Sequence, residues 1–199
     1  MPQGRPREFD AEKALDAAML LFWHRGYEGT TLHALTASMG ISTPSLYAAF
    51  GNKKQLFRTA LDRYLKKHAI YLPNALQEPT ARGATEKLFR GAIEMVMKQR
   101  PAGRPANACL LVQSALATGL VAESVRVELN MVRSGAESAV RMRYKRAIAE
   151  KDLPAHVDAT KLARYIVTVL WGLSVQAAGG ATAAQLKEVV AFAMQAWPD

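Results

Sequence analysis

The sequence predicts an all-α protein of about nine helices: an N-terminal three-helix helix-turn-helix domain, then a larger helical domain. Three observations predict this. Alanine and leucine are abundant, whereas the thirteen glycines and nine prolines mostly punctuate the chain, a balance that favours helices. Apolar residues recur at spacings of three and four. Good N-cap residues stand in front of those runs, and no stretch alternates convincingly like a strand.

Each element has its own signals. Residues 1–8 read as a basic arm, with Arg5 and Arg7 among proline and glycine. Asp10 caps the first helix, whose stripe is Ala11, Leu15, Ala18 and Phe22, and Gly26 stops it. A short helix follows Thr30 with Leu32, Leu35 and Met39 on one face. Gly40 breaks it, and Ser42 caps a third helix that tolerates Pro44 in its first turn. Leu46 and Phe50 face inward before Gly51 ends it. Asn52 and Gln55 form a capping box for the fourth helix, which presents Leu56, Phe57, Ala60, Leu61, Tyr64 and Leu65.

Pro73 and Pro79 bracket a break. Five helices follow, over about Thr80–Gln99, Asn107–Thr118, Glu123–Glu150, Asp158–Ala178 and from Thr182 to about Trp197. The last opens with a Thr182/Gln185 capping box. The expected domains are 1–51, which carries the helix-turn-helix, and 73–199, joined by a helix over about 52–72.

Composition narrows the function. The chain has 199 residues and a formal net charge of +9, with an isoelectric point near 9.8. A basic surface attracts polyanions, so nucleic acid or an acidic membrane is a candidate partner. The charge is spread out, however: net +4 over residues 1–68 and net +5 over the rest. The single cysteine, Cys109, allows no intrachain disulfide, which suits a reducing cytosol. The N-terminus lacks a signal-peptide apolar stretch, and Tyr165–Ala178 is broken by Thr168, Gly172, Ser174 and Gln176. A cytoplasmic protein without a membrane partner is expected. No Gly-rich phosphate loop, G-x-S-x-G, H-E-x-x-H or paired metal ligands occur, and His24, His33, His68 and His156 are scattered. Neither an enzyme, nor a metal, nor a cofactor is expected.

Residues 31–50 have the grammar of a helix-turn-helix. Leu35, Ile41, Leu46 and Phe50 hold the two helices, leaving Thr43, Pro44, Ser45, Tyr47 and Ala48 outward. Small side chains permit close approach to a groove. The Thr43 and Ser45 hydroxyls suit phosphate or base edges, and the Pro44 ring and Ala48 methyl suit a thymine methyl. The Tyr47 hydroxyl suits a phosphate. Lys53 and Lys54 begin a helix whose positive end already favours an anion, and Thr31 opens another. Arg5 and Arg7 suit the DNA backbone or the minor groove. The bland readings stay open here: such a pattern arises by chance in helical proteins, two lysines make an ordinary solvated face, and Tyr47 suits a half-buried tyrosine.

The wording of the chain then adds a resemblance. F-W-H-R-G-Y-E-G-T-T, L-x-x-L-T-A-S-M-G-I-S and P-S-L-Y-A-A-F-G-N-K-K-Q-L-F follow one another in order. This stretch, roughly residues 5–65, resembles the N-terminal domain of the TetR/AcrR family of regulators. The resemblance implies phosphate contacts from Thr31 and Lys53, a backbone contact from Tyr47, and base contacts from among Thr43, Pro44, Ser45 and Ala48. One departure is Thr36, where many members have alanine at the crossing of the two helices.

The resemblance also implies a homodimer through the last two long helices, for which Leu162, Ile166, Leu173, Ala177, Leu186, Val190 and Ala193 are the candidates. The alternative is that these stripes pack only within one chain. It implies a small-molecule effector among the central helices, with Phe89, Ile93, Met97, Cys109, Gln113, Tyr144 and Trp171 as candidate lining; plain core packing is the competing role for each. Cys109 with Met95 and Met97 invites a redox or copper reading, but one cysteine without a nearby ligand is poor metal spacing. Arg141, Arg143, Lys145 and Arg146 form either an acidic-partner site or a solvated face. The expected function is a sequence-specific DNA-binding transcriptional regulator, a repressor released from a palindromic operator of double-stranded DNA by a small molecule. A ligand-responsive activator and a basic scaffold or membrane-surface protein are the alternatives.

Overall fold

Helix starts follow the side-chain oxygens that cap them. In the computed structural model, which describes residues 9–98, 108–116 and 123–198, the Asp10 carboxylate accepts from the backbone N–H groups of Glu12 and Lys13 at 3.0 and 3.2 Å. It thereby starts α1 (Ala11–Arg25). Thr31 starts α2 (Leu32–Met39), Ser42 starts α3 (Thr43–Phe50), and the Asn52/Gln55 box starts α4 (Lys53–His68). Then come α5 (Tyr71–Ala75), α6 (Ala81–Lys98), α7 (Leu110–Leu116), α8 (Glu123–Ala149), α9 (Ala159–Ala178) and α10 (Ala183–Gln195). The described residues contain no strand. The turn α5 runs across Pro73 into the expected Pro73–Pro79 break. Pro73 is its third residue, where an N–H has no intrahelical acceptor to lose.

The chain divides into two compact units, Met1–Lys67 and His68–Asp199. In the first, α1 and α4 build the core. Phe22, Trp23, Leu56, Phe57, Ala60 and Tyr64 are buried, and Leu35 of α2 and Leu46 of α3 are fully so. Edge-on aromatic pairs hold the two long helices: Phe22–Phe57 at 5.1 Å and Trp23–Tyr64 at 4.8 Å between centroids. At the surface, Arg63 donates through Nε and Nη2 to both Asp16 oxygens at 2.6 and 2.8 Å. Arg63 also pairs with Glu12, and Lys67 donates to Asp16 at 2.7 Å. These cations hold the Asp16 carboxyl down to about 2.

In the second unit, α9 packs against α8, α6 and α10. Tyr144 of α8 and Thr85 of α6 share a buried hydroxyl–hydroxyl bond of 2.6 Å. Arg143 is almost wholly buried and donates to the carbonyls of Glu78 and Pro79 at 3.1 and 2.9 Å. Its nearby partner Asp152 takes the backbone N–H of Ala81. Asp152 is placed there by the end of α8, where Lys151 adopts a left-handed φ of 63° and the Asp152 N–H reaches the Ala147 carbonyl at 2.8 Å. The basic run on α8 is therefore not one face: Arg143 points inward, and Arg146 pairs with Glu150.

Candidate nucleic-acid interface

The helix-turn-helix geometry rests on local chemistry. Gly40 takes φ 65°, ψ 32° and donates its N–H to Thr36. A Cβ there would meet nothing within 4 Å, so the left-handed backbone alone favours glycine. Thr36 bonds the carbonyls of Leu32 and His33 at 3.1 and 3.0 Å, so the larger residue satisfies its hydroxyl on its own helix. Ser42 Oγ accepts the Ser45 N–H at 3.2 Å, and Leu46, fully buried, pins α3 to the core.

What remains outward on α3 is small and uncharged. Thr43, Pro44, Tyr47 and Ala48 are exposed, Tyr47 by 46%. Ser45 is half-buried, and its hydroxyl is shared with that of Ser42 at 2.8 Å. Ile41 and Phe50 are half-buried rather than buried; Phe50 lies 6.4 Å from the Phe9 ring.

Two flanking groups are placed by their neighbours. Thr31 is exposed and accepts from the Ala34 N–H at 3.1 Å, leaving its hydroxyl proton free to donate. The loop before it depends on Thr30 and Gly29, neither of them among the expected site residues. Thr30 is fully buried and donates to the Gly26 carbonyl at 2.7 Å. A Cβ on Gly29 would lie 2.4 Å from the Arg25 carbonyl oxygen. The G-x-x-G-T spacing was the available signal for that loop.

Lys53 places its ammonium 4.4 Å from the centroid of Tyr27, a cation–π contact. Burial lowers its pKa, while the charge of Glu28 acts in the opposite direction. Tyr27 is itself held by Phe22 and Phe57, at 6.3 and 5.1 Å. Lys54 is half-buried beside it. Arg5 and Arg7 lie outside the described residues.

The other expected site residues fall differently. Ile166, Leu173, Ala177, Leu186 and Ala193 are each buried within the single chain, and Leu162 and Val190 are half-buried. The five buried side chains therefore pack within the chain, the alternative that the sequence left open, whereas Leu162 and Val190 keep part of their surface. The exposed apolar side chains on the same two helices are Tyr165, Val175, Val189 and Phe192, the last 75% exposed. Between them Val169, Gly172, Gln176 and Gln185 line a groove of about 350 Å³ floored by Leu173 and Leu186.

Among the effector candidates, Phe89, Cys109 and Tyr144 are buried, and Gln113 and Trp171 half-buried. Tyr144 packs edge-on to Trp197 at 5.8 Å. Ile93 and Met97 line a groove of the second unit. It has a volume of about 370 Å³ and lies between α6 and α10, completed by Glu86, Arg90, Glu94, Ala183, Lys187 and Val190. Among the described residues no three His, Cys, Asp or Glu side chains cluster to hold a metal, and no helix is long and apolar enough to cross a membrane.

A three-helix unit whose third helix is rigidly capped, anchored from behind and bare on its outer side is the architecture of a helix-turn-helix regulator. Known proteins agree. The profile of the bacterial regulatory proteins of the tetR family matches residues 14–60. The chain is 30% identical to the HTH-type transcriptional repressor ComR of Escherichia coli K12, over 99% of this chain and 93% of that one. A cysteine mutant of the TetR family transcriptional regulator CifR, complexed with a 26-base-pair double-strand operator DNA, is 42% identical with a TM-score of 0.89. That match covers 98% of this chain and all of the other. A TetR transcriptional regulator from Rhodococcus sp. RHA1 is 39% identical with a TM-score of 0.64, over 95% of this chain and all of that one. The chain belongs to the TetR family of bacterial regulatory proteins.

Proposed function

We propose that this protein is a cytoplasmic repressor that binds a palindromic operator as a two-fold dimer and is released when a small molecule occupies its C-terminal unit. The observation that carries the DNA-binding reading is the exposed, uncharged outer face of α3, locked by the Ser42 cap and Leu46. The relative CifR bound to operator DNA, similar over its whole length, supports it. The first unit, Met1–Lys67, reads DNA, and the second, His68–Asp199, binds the effector and the second copy.

Tyr47, Thr31, Lys53 and Lys54 serve as phosphate contacts, and Thr43, Pro44 and Ala48 face bases, with Ser45 holding the cap. Arg5 and Arg7 follow the backbone or minor groove. The second copy docks on the surface of Tyr165, Val175, Val189 and Phe192, because these apolar side chains are exposed in the single chain. Two recognition helices then meet major grooves about 34–36 Å apart. The effector works by differential affinity, favouring a dimer whose spacing does not fit the operator.

Footprinting on the region upstream of the protein's own gene tests this. Sequence-selective, salt-sensitive protection of a palindrome is expected. Tyr47→Ala and Lys53→Ala should each weaken binding to every sequence by about tenfold. Absence of selective binding to any promoter fragment overturns the reading, and increased transcription on binding turns repressor into activator.

A further inference from the structure

We infer that α3 recognises its operator chiefly through the methyl groups of thymines in the major groove. The inference rests on the operator-binding reading above and names the chemistry it uses. Bidentate readout needs Arg or Lys for guanine, Asn or Gln for adenine, and Asp or Glu for cytosine. The helix Thr43–Phe50 contains none of these six residue types.

The polar atoms that it does carry are mostly committed. Ser42 caps the helix, and the half-buried Ser45 hydroxyl is tied to it at 2.8 Å. The exposed hydroxyls of Thr43 and Tyr47 remain, and each offers one donor. One donor pairs with acceptors on several bases and discriminates poorly. The exposed carbon surface is larger: the Thr43 methyl, the Pro44 ring and the Ala48 methyl all lie on the outer side of α3. In the major groove the only apolar group is the thymine C5 methyl. Pro44 and Ala48, four residues apart, share one face of the helix and so present their carbon groups to the same stretch of groove.

The test uses a random-sequence duplex pool from which the full-length protein selects its own site. Each thymine of the enriched site is then replaced by uracil, which removes the methyl and leaves every pairing and minor-groove group in place. Replacement at the critical thymines should weaken binding about fourfold per methyl. Replacement by 5-bromouracil, whose bromine is close to a methyl in size, should restore affinity. In Pro44→Ala and Ala48→Gly proteins the thymine–uracil difference should shrink.

If no DNA is enriched, the operator-binding reading itself fails. If DNA is enriched but the all-uracil site binds as well as the thymine site, only the present inference is overturned. It is equally overturned if 5-bromouracil fails to rescue, which would assign the loss to DNA shape, or if the difference survives unchanged in both variants.

Discussion

Asp16 offers the sharpest test of how α1 and α4 are joined. Asp16→Asn keeps the shape and removes the charge that Arg63 and Lys67 share. The Asp16 carboxyl lies near 2 against an ordinary 3.8, first because Arg63 donates to it and then because Lys67 does, with burial opposing. Taken whole, that difference amounts to a little over about 2 kcal/mol at neutral pH. The Asp16 side chain is 33% exposed, so solvent screening reduces this to about 1 kcal/mol.

The sign follows from the depressed pKa. The stabilisation is present above the unfolded value of 3.8 and is lost as pH falls towards 2. Wild type should therefore exceed Asp16→Asn by about 1 kcal/mol from pH 5 to 8, and by roughly half of that at pH 3. The assay is urea unfolding followed by fluorescence in a Trp171→Phe, Trp197→Phe background. That leaves Trp23, buried against Tyr64 in the first unit, as the reporter. A difference that is independent of pH between 5 and 2, or a variant as stable as wild type at pH 7, would refute the argument.

Four further outcomes are expected. Gly29→Ala forces its Cβ against the Arg25 carbonyl at 2.4 Å and should destabilise the first unit by about 2 kcal/mol in the same fluorescence assay. Lys151→Gly relieves the left-handed φ of 63° and should raise stability by about 1 kcal/mol in urea unfolding followed by Trp197 fluorescence. Arg143→Met removes the donor to the Glu78 and Pro79 carbonyls and the cation beside Asp152, so that assay should show a loss of about 3 kcal/mol. Tyr27→Leu should lower stability in a cycle with Lys53→Ala by a coupling of about 0.5–1 kcal/mol, whereas Tyr27→Phe, which keeps the ring, should preserve it.

The DNA-facing unit was legible because its determinants are local. Asp10, Ser42, and Asn52 with Gln55 act on N–H groups two or three residues away, so sequence spacing suffices to recognise them, as it does for Thr182 with Gln185 in the second unit. Gly40 is similar, since a left-handed residue between two apolar stripes is a property of one position. The end of α8 at Lys151 was less legible, because a lysine there gives no glycine signal.

Which stripe of a helix faces a neighbour is a different kind of fact. Helix α9 carries the stripe Ile166–Leu173–Ala177 and, away from it, the apolar side chains Tyr165 and Val175, and the 3.6-residue period identifies stripes without saying what covers them. Only the packing of α9 against α6, α8 and α10 sent that stripe inward and left Tyr165 and Val175, with Phe192 of α10, to solvent. The same holds for Arg143, which reads as one more charge in a basic run until the Glu78 and Pro79 carbonyls, more than sixty residues away, draw it into the interior. By itself the sequence determined the helices, their caps and the bare face of α3, because those depend on neighbours in the chain. The tertiary structure decided which apolar surfaces and charges were left over, because burial depends on residues that only folding brings together.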